Sequence, residues 1–124
     1  MKTILDIARR GESLRVVNDQ VSSPTYTVDL VAALAQVLEK GSPGIYHVTN
    51  QGHCSWYEFA QEILRQAGLE DVALTPIPTS ASGRPAPRPR NSCLANARLE
   101  EEGLALLPPW QDALHRYLLP TRHE

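Results

Sequence analysis

Lysine is nearly missing from this 124-residue chain: only Lys2 and Lys40 occur, and neither stands four residues after a tyrosine. No Tyr-x-x-x-Lys pair is therefore present. Glycine is sparse and scattered. The seven glycines form no Gly-x-Gly-x-x-Gly, no Gly-x-x-Gly-x-x-Gly and no Gly-x-x-x-x-Gly-Lys-Ser/Thr, so the common phosphate-cradling loops are excluded. Cysteine is limited to Cys54 and Cys93, far apart and without a Cys-x-x-Cys spacing, which reads as two reduced thiols. No apolar run approaches the roughly 20 residues of a membrane span. The segment Met1–Asp6 has no long apolar core or cleavage site of a signal peptide, so a cytoplasmic location is expected. Charge of either sign is in short surplus: 12 Lys and Arg against 14 Asp and Glu leave a net charge of −2, too little for a general grip on nucleic acid. Neither nucleic acid nor membrane is an expected partner. No two of His47, His53, His115 and His123 share a helix face at metal-ligand spacing, so no metal site is expected.

A hydrophobic share of 42% with 21% charged residues suits one soluble globular domain of this length. The element order reads as α/β, with about three short strands and four or five helices. Met1–Arg10 predicts a helix ended by Gly11, and Leu14–Val17 a strand. Val21–Tyr26 reads as a loop. Leu30, Val31, Leu34, Val37 and Leu38 predict the inner stripe of a helix from about Val28 to Lys40, with Thr27 or Asp29 as its cap. Ile45–Thr49 alternates like a strand. Ser55 and Glu58 are spaced as a capping box for a helix that ends at Gly68, with Trp56, Phe59, Ala60, Ile63 and Leu64 facing inward. Val72–Ile77 predicts a strand, Ala95–Glu102 a short helix, and Trp110–Leu119 a last helix begun at Pro109. The acidic run Glu100–Glu102 reads as a solvated helix face, and Thr121–Glu124 as a frayed tail. Strands alternating with helices early in the chain imply a partly parallel sheet.

Two loops carry most of the chemistry. Asp19-Gln20-Val21-Ser22-Ser23-Pro24-Thr25-Tyr26 packs a carboxylate, an amide, hydroxyls and a phenol just after a strand. Ligands in open α/β sheets sit off the carboxyl ends of strands, so this is either a polar-ligand loop or merely a capped turn. The second loop is Gly83-Arg84-Pro85-Ala86-Pro87-Arg88-Pro89-Arg90. Five of the ten prolines fall between Pro76 and Pro89, and a stiffened loop holds its arginines at low entropic cost. Guanidinium groups make forked contacts with phosphate, so a diphosphate is a natural partner. A solvated polyproline segment is the alternative.

At these loops the sequence resembles a known family. Val16-Val17-Asn18-Asp19-Gln20, Ser23-Pro24-Thr25-Tyr26 and Asp29-Leu30 are similar to the substrate-domain signature of the dTDP-4-dehydrorhamnose reductases, within the extended short-chain dehydrogenase/reductase group. Gly44–Asn50, Cys54–Ala60, Arg84–Pro89 and the closing Trp110-x-x-Ala113-Leu114-x-x-Tyr117-Leu118 fit in the same order. The resemblance implies the C-terminal substrate-binding portion of an NAD(P)-binding Rossmann-type reductase, beginning within a family helix and spanning residues 1–124 as one substrate-binding domain without the dinucleotide-binding domain. It implies reduction of dTDP-4-dehydro-L-rhamnose to dTDP-L-rhamnose with NADPH or NADH in the full-length family. No cofactor is expected on this chain alone, and so no hydride transfer. Asp19, Gln20, Thr25 and Tyr26 are then expected on the substrate side of the cleft, with Arg88 first and Arg84 second at the diphosphate. The implied partners are a dTDP-sugar and either a separate cofactor-binding half or a second copy of the chain. A non-catalytic interaction or regulatory module, as in the reductase-like subunit of methionine adenosyltransferase, and a fragment without activity of its own are the alternatives. Ser22 stands where the family usually has glycine, and a positive φ there would strain a serine.

Overall fold

The computed structural model of the chain describes residues 1–119; the tail expected at Thr121–Glu124, with His123, lies outside the described residues. The elements run α1 (Lys2–Arg9), β1 (Leu14–Val17), β2 (Val21–Ser22), α2 (Thr27–Lys40), β3 (Cys54–Ser55), α3 (Trp56–Gln66), β4 (Leu74–Ile77), a 3-10 turn (Thr79–Ala81), α4 (Ala97–Glu101) and α5 (Trp110–Leu118). Two compact units result. One comprises Met1–Ser22 and Cys54–Ser92, the other Ser23–His53 and the chain from Cys93. Among the described residues no helix is long and apolar enough to cross a membrane.

In the first unit β1 pairs parallel with β4, Leu14 opposite Leu74 through Val17 opposite Ile77, while β2 and β3 form a short antiparallel pair. The parallel pair bears out the partly parallel sheet. Ala8 of α1, Leu14 of β1 and Leu64 of α3 meet in one apolar cluster, flanked by Ile4, Ile7, Val16, Leu69, Val72 and Leu74. The helix α3 starts where its sequence says it should. The Ser55 hydroxyl accepts from the Glu58 N–H at 3.1 Å, and the Glu58 carboxylate accepts from the Ser55 N–H at 2.7 Å. Its far end turns at Gly68, whose φ of 68° lets the Leu69 N–H reach back to the Leu64 carbonyl at 2.9 Å. Phe59, Ala60, Ile63 and Leu64 are buried, but Trp56 is 40% exposed, which corrects its expected place on the inner face. Ser22 pairs with Cys54, and no described residue other than glycine has a positive φ, so the expected strain is absent.

The second unit is organised around Asn50, which is fully buried. Its Nδ2 donates to Asp29 Oδ2 at 2.8 Å and to the Pro108 carbonyl at 2.9 Å, and its Oδ1 accepts from the Tyr26 N–H at 2.8 Å. Asp29 accepts both arms of the Arg116 guanidinium at 2.6 and 2.7 Å. These contacts explain two corrections. First, α2 has no side-chain cap, and Tyr26, not Thr27 or Asp29, occupies the cap position, because the Asp29 carboxylate is taken by Asn50 and Arg116. Second, the helix is fixed by the Asp29–Ala33–Gln36 side: Ala33 is its one buried residue, and Gln36 Oε1 accepts from the Ala105 N–H at 3.0 Å. Most of the expected inner stripe therefore turns outward, leaving Val31 65%, Leu34 55% and Leu38 79% exposed, while Val37 stays half-buried.

Ile45–Thr49, expected as a strand, forms none and pairs with no strand among the described residues. Side chains replace the ladder there. The Thr49 N–H donates to Asn96 Oδ1 at 3.0 Å, and Asn96 Nδ2 returns a bond to the Thr49 carbonyl at 3.1 Å. His47 is exposed on this segment. The acidic run also departs from a purely solvated face. Glu100 and Glu101 are exposed, but Glu102 accepts from Tyr46 Oη at 2.6 Å and the Ser42 N–H at 3.1 Å. The Tyr46 hydroxyl, the Ser42 amide and Arg98 hold the Glu102 carboxyl below its ordinary pKa.

Candidate ligand-binding cleft

An open cleft of about 400 Å³ lies in the first unit. Ile4 and Ile7 from α1, Val16 and Val17 from β1, and Ile77 from β4 give it an apolar floor. Gln20, Ser82, Arg84 and Arg88 give it a polar rim, and Met1, Thr3, Leu14, Arg15 and Trp56 line it as well. Among the described residues, no aspartate, glutamate, histidine or cysteine lines it. It offers cations, an amide, a hydroxyl and an indole, which are binding groups suited to an anion with an apolar part.

The rim is held by Thr79. At the end of β1 the Asn18 N–H still bonds the Ile77 carbonyl at 3.0 Å, so the next residues emerge beside the chain leaving β4. The Asp19 carboxylate there accepts from the Thr79 N–H at 2.9 and 3.1 Å and from the Thr79 hydroxyl at 2.6 Å. Gln20 is buried, and its Nε2 donates to Thr79 Oγ1 at 3.1 Å. The Thr79 hydroxyl and N–H hold the Asp19 carboxyl below the usual carboxylate range, with Arg90 adding a smaller attraction. Asp19 thus stays ionised and spends its oxygens within the protein.

The arginine loop is pinned at both ends. Its upstream end is the 3-10 turn at Thr79, where Ser82 Oγ donates to the Thr79 carbonyl at 2.7 Å. Its downstream end is zipped to Val21: the Val21 N–H donates to the Arg90 carbonyl at 2.8 Å, and the Ser92 N–H to the Val21 carbonyl at 2.9 Å. Arg84 and Arg88 hang between these anchors on the cleft, and Arg90 does not line it.

Gln20, Arg84 and Arg88 are therefore brought together, with Asp19 behind them on Thr79. Thr25 and Tyr26 belong to the second unit, and the contacts described for them lie there. Thr25 Oγ1 donates to the Ser23 carbonyl at 3.1 Å, and the Tyr26 ring stands edge-on to Tyr117 at 5.9 Å, with the Arg116 guanidinium 5.5 Å from its centre. Sequence reasoning missed Arg15, Thr79 and the cleft position of Trp56. Arg15 carried a usable signal, as a cation between apolar neighbours in a strand that buries Leu14. Thr79 carried none, since its role depends on a carboxylate 60 positions away.

A family model described as RmlD substrate binding domain matches residues 1–122. The chain is 44% identical over 118 residues to the spore coat polysaccharide biosynthesis protein SpsK of Bacillus subtilis, covering 95% of this chain and 41% of that protein. It is 38% identical to the dTDP-4-dehydrorhamnose reductase of Mycolicibacterium smegmatis, covering 90% of this chain and 35% of that protein. Among solved structures, the dTDP-4-dehydrorhamnose reductase of Bacillus anthracis in complex with NADP superposes with a TM-score of 0.91 at 35% identity, over 97% of this chain and 42% of that one. The chain thus spans roughly two-fifths of the length of the relatives it matches, and its fold is that of the corresponding part of a Rossmann-like extended short-chain reductase. With all but its last two residues matched, the chain belongs to the RmlD substrate binding domain family.

Proposed function

We propose that these 124 residues are the substrate-binding portion of a dTDP-4-dehydrorhamnose reductase, holding dTDP-4-dehydro-L-rhamnose while its 4-keto group is reduced to give dTDP-L-rhamnose. The observation that carries this reading is a cleft lined by Arg84, Arg88 and the buried Gln20, with no acidic side chain in its lining among the described residues, in a chain of a substrate-binding family. The two guanidinium groups bind the diphosphate, Gln20 faces the polar part of the ligand, and Asp19 fixes the rim through Thr79.

The nicotinamide cofactor does not fit these residues. They contain no glycine-rich phosphate loop and no Tyr-x-x-x-Lys pair. NADPH or NADH is held by a dinucleotide-binding region outside these 124 residues, in the same polypeptide or a separate one. That region and the dTDP-sugar are the partners, the compartment is the cytoplasm, and the 124 residues by themselves do not transfer hydride.

Calorimetry with dTDP and dTDP-rhamnose tests the reading. Binding is expected, and Arg88→Ala should weaken it about 10-fold or more, since a hydrogen bond to a charged group contributes about 1.5–3 kcal/mol. A folded chain that gives no heat with millimolar ligand removes the proposal.

A further inference from the structure

We infer that Trp56 reads the nucleobase in this cleft, offering its indole face to the pyrimidine ring while Arg84 and Arg88 take the phosphates. This rests on the function proposed above and names how that same cleft recognises its ligand. Trp56 occupies the first position of α3, where its neighbours Phe59, Ala60 and Ile63 are all buried. It is the exception at 40% exposed, and it lines the cleft with Gln20, Arg84 and Arg88. An exposed indole is costly to keep in water unless something covers it.

The ring is also held in place before any ligand arrives. It packs edge-to-face on the buried Phe59, with centroids 6.2 Å apart and planes at 68°. The Trp56 N–H donates to the Gln20 carbonyl at 3.3 Å, tying the start of the helix to the cleft rim. A fixed aromatic ring loses little entropy on binding. The cleft volume of about 400 Å³ lies in the range of small-molecule sites, roughly 300–1,000 Å³. A bare phosphate has no use for an indole and an apolar floor. A ligand with a diphosphate at one end and a flat heterocycle at the other uses both.

The test compares the wild-type chain with Trp56→Ala, Trp56→Phe and Arg88→Ala, using dTDP and inorganic pyrophosphate as probes. Affinity is read by calorimetry and folding by circular dichroism. Tryptophan emission gives a second readout, because the other tryptophan, Trp110, is only 6% exposed. Trp56→Ala should weaken dTDP about 10-fold or more, as base–aromatic stacking does on alanine substitution, and leave pyrophosphate within about twofold. Trp56→Phe should retain most dTDP affinity, and Arg88→Ala should weaken both probes. In the wild type dTDP should quench emission more than pyrophosphate does. Wild-type affinity for dTDP in Trp56→Ala overturns the assignment while leaving the function standing, as does equal loss of both probes by a folded variant. If Trp56→Ala fails to fold, equal quenching by the two probes overturns it. A wild-type chain that binds neither probe removes the function and the assignment together.

Discussion

Replacing Asn50 by alanine should cost the fold roughly 3 kcal/mol, and the structure says where that cost arises. The side chain is fully buried and makes bonds of 2.8, 2.9 and 2.8 Å to Asp29, Pro108 and Tyr26. The three losses are unequal. The Pro108 carbonyl keeps the Gln51 N–H at 3.1 Å, and Asp29 keeps Arg116. Each of these acceptors therefore loses only a net bond, about 1 kcal/mol apiece. The Tyr26 N–H has no other acceptor among its described bonds, and because this donor is only part-buried its loss falls at the low end of the range, about 1 kcal/mol. Urea unfolding followed by Trp110 emission in a Trp56→Phe background is a suitable assay, because Trp110 lies in the same unit and its N–H bonds the Gln51 carbonyl at 3.0 Å. With a slope near 1.5–2 kcal/mol per molar urea, within the usual range, the midpoint should fall by about 1.5–2 M. Asn50→Asp keeps the acceptor for Tyr26 but sets a second carboxylate against Asp29, and should lose at least as much near neutral pH. A shift under about 0.5 M for Asn50→Ala, at unchanged slope, would mean that the network carries little weight.

Two further outcomes are expected. Arg116 first, then Asn50, hold the Asp29 carboxyl below its ordinary pKa against the opposing effect of burial. The unfolded chain therefore takes up that proton at a higher pH than the folded one, so the stabilisation is full above about pH 5 and is lost as pH falls through the folded value. Urea midpoints between pH 6 and 3 should fall less steeply for Asp29→Asn than for wild type; parallel profiles would refute the assignment. The double change Val31→Lys, Leu38→Lys should move the midpoint by no more than about 0.5 kcal/mol equivalent, because both side chains point into solvent. It should also reduce self-association in light scattering, since large exposed apolar patches promote contacts; a wild-type chain that is cleanly monomeric at high concentration would refute that role for α2.

The elements legible in the sequence are those whose causes are local. Ser55 and Glu58 cap α3 through bonds spanning three residues, and Gly68 ends it within one turn. The strand β1 is legible over its whole length, Leu14–Val17. The misreadings all concern a face or partner chosen by distant residues. The stripe on α2 has the right period, but period alone does not say which side is anchored. Arg116, 87 positions from Asp29, decides that. Ile45–Thr49 has the alternation of a strand, yet the groups that satisfy it come from the Asn96 side chain, 47 positions from Thr49. Trp56 looks like core by composition and spacing, and only the cleft beside it explains why it is not buried.

The same distinction sorts the residues of the cleft. Arg84 and Arg88 were legible because a run of prolines and arginines announces its chemistry in sequence, and the structure brings both to one cleft. Asp19 was legible as a residue of interest but not in its role. Its carboxylate accepts three contacts from Thr79, at 2.9, 3.1 and 2.6 Å, and using those oxygens on a ligand would strip the turn that anchors the arginine loop. A negative charge facing a diphosphate would moreover repel it. Both arguments place Asp19 behind the rim. The carboxylate organises Thr79, Thr79 starts the turn, the turn sets the upstream anchor of the loop, and the loop carries the arginines. Thr79 deletes two links at once if removed, since Gln20 Nε2 bonds the same hydroxyl. In the proposed reading the cleft therefore presents charge of one sign to the ligand, and the opposite charge serves inside the scaffold, where hydrogen bonds from Thr79 satisfy it.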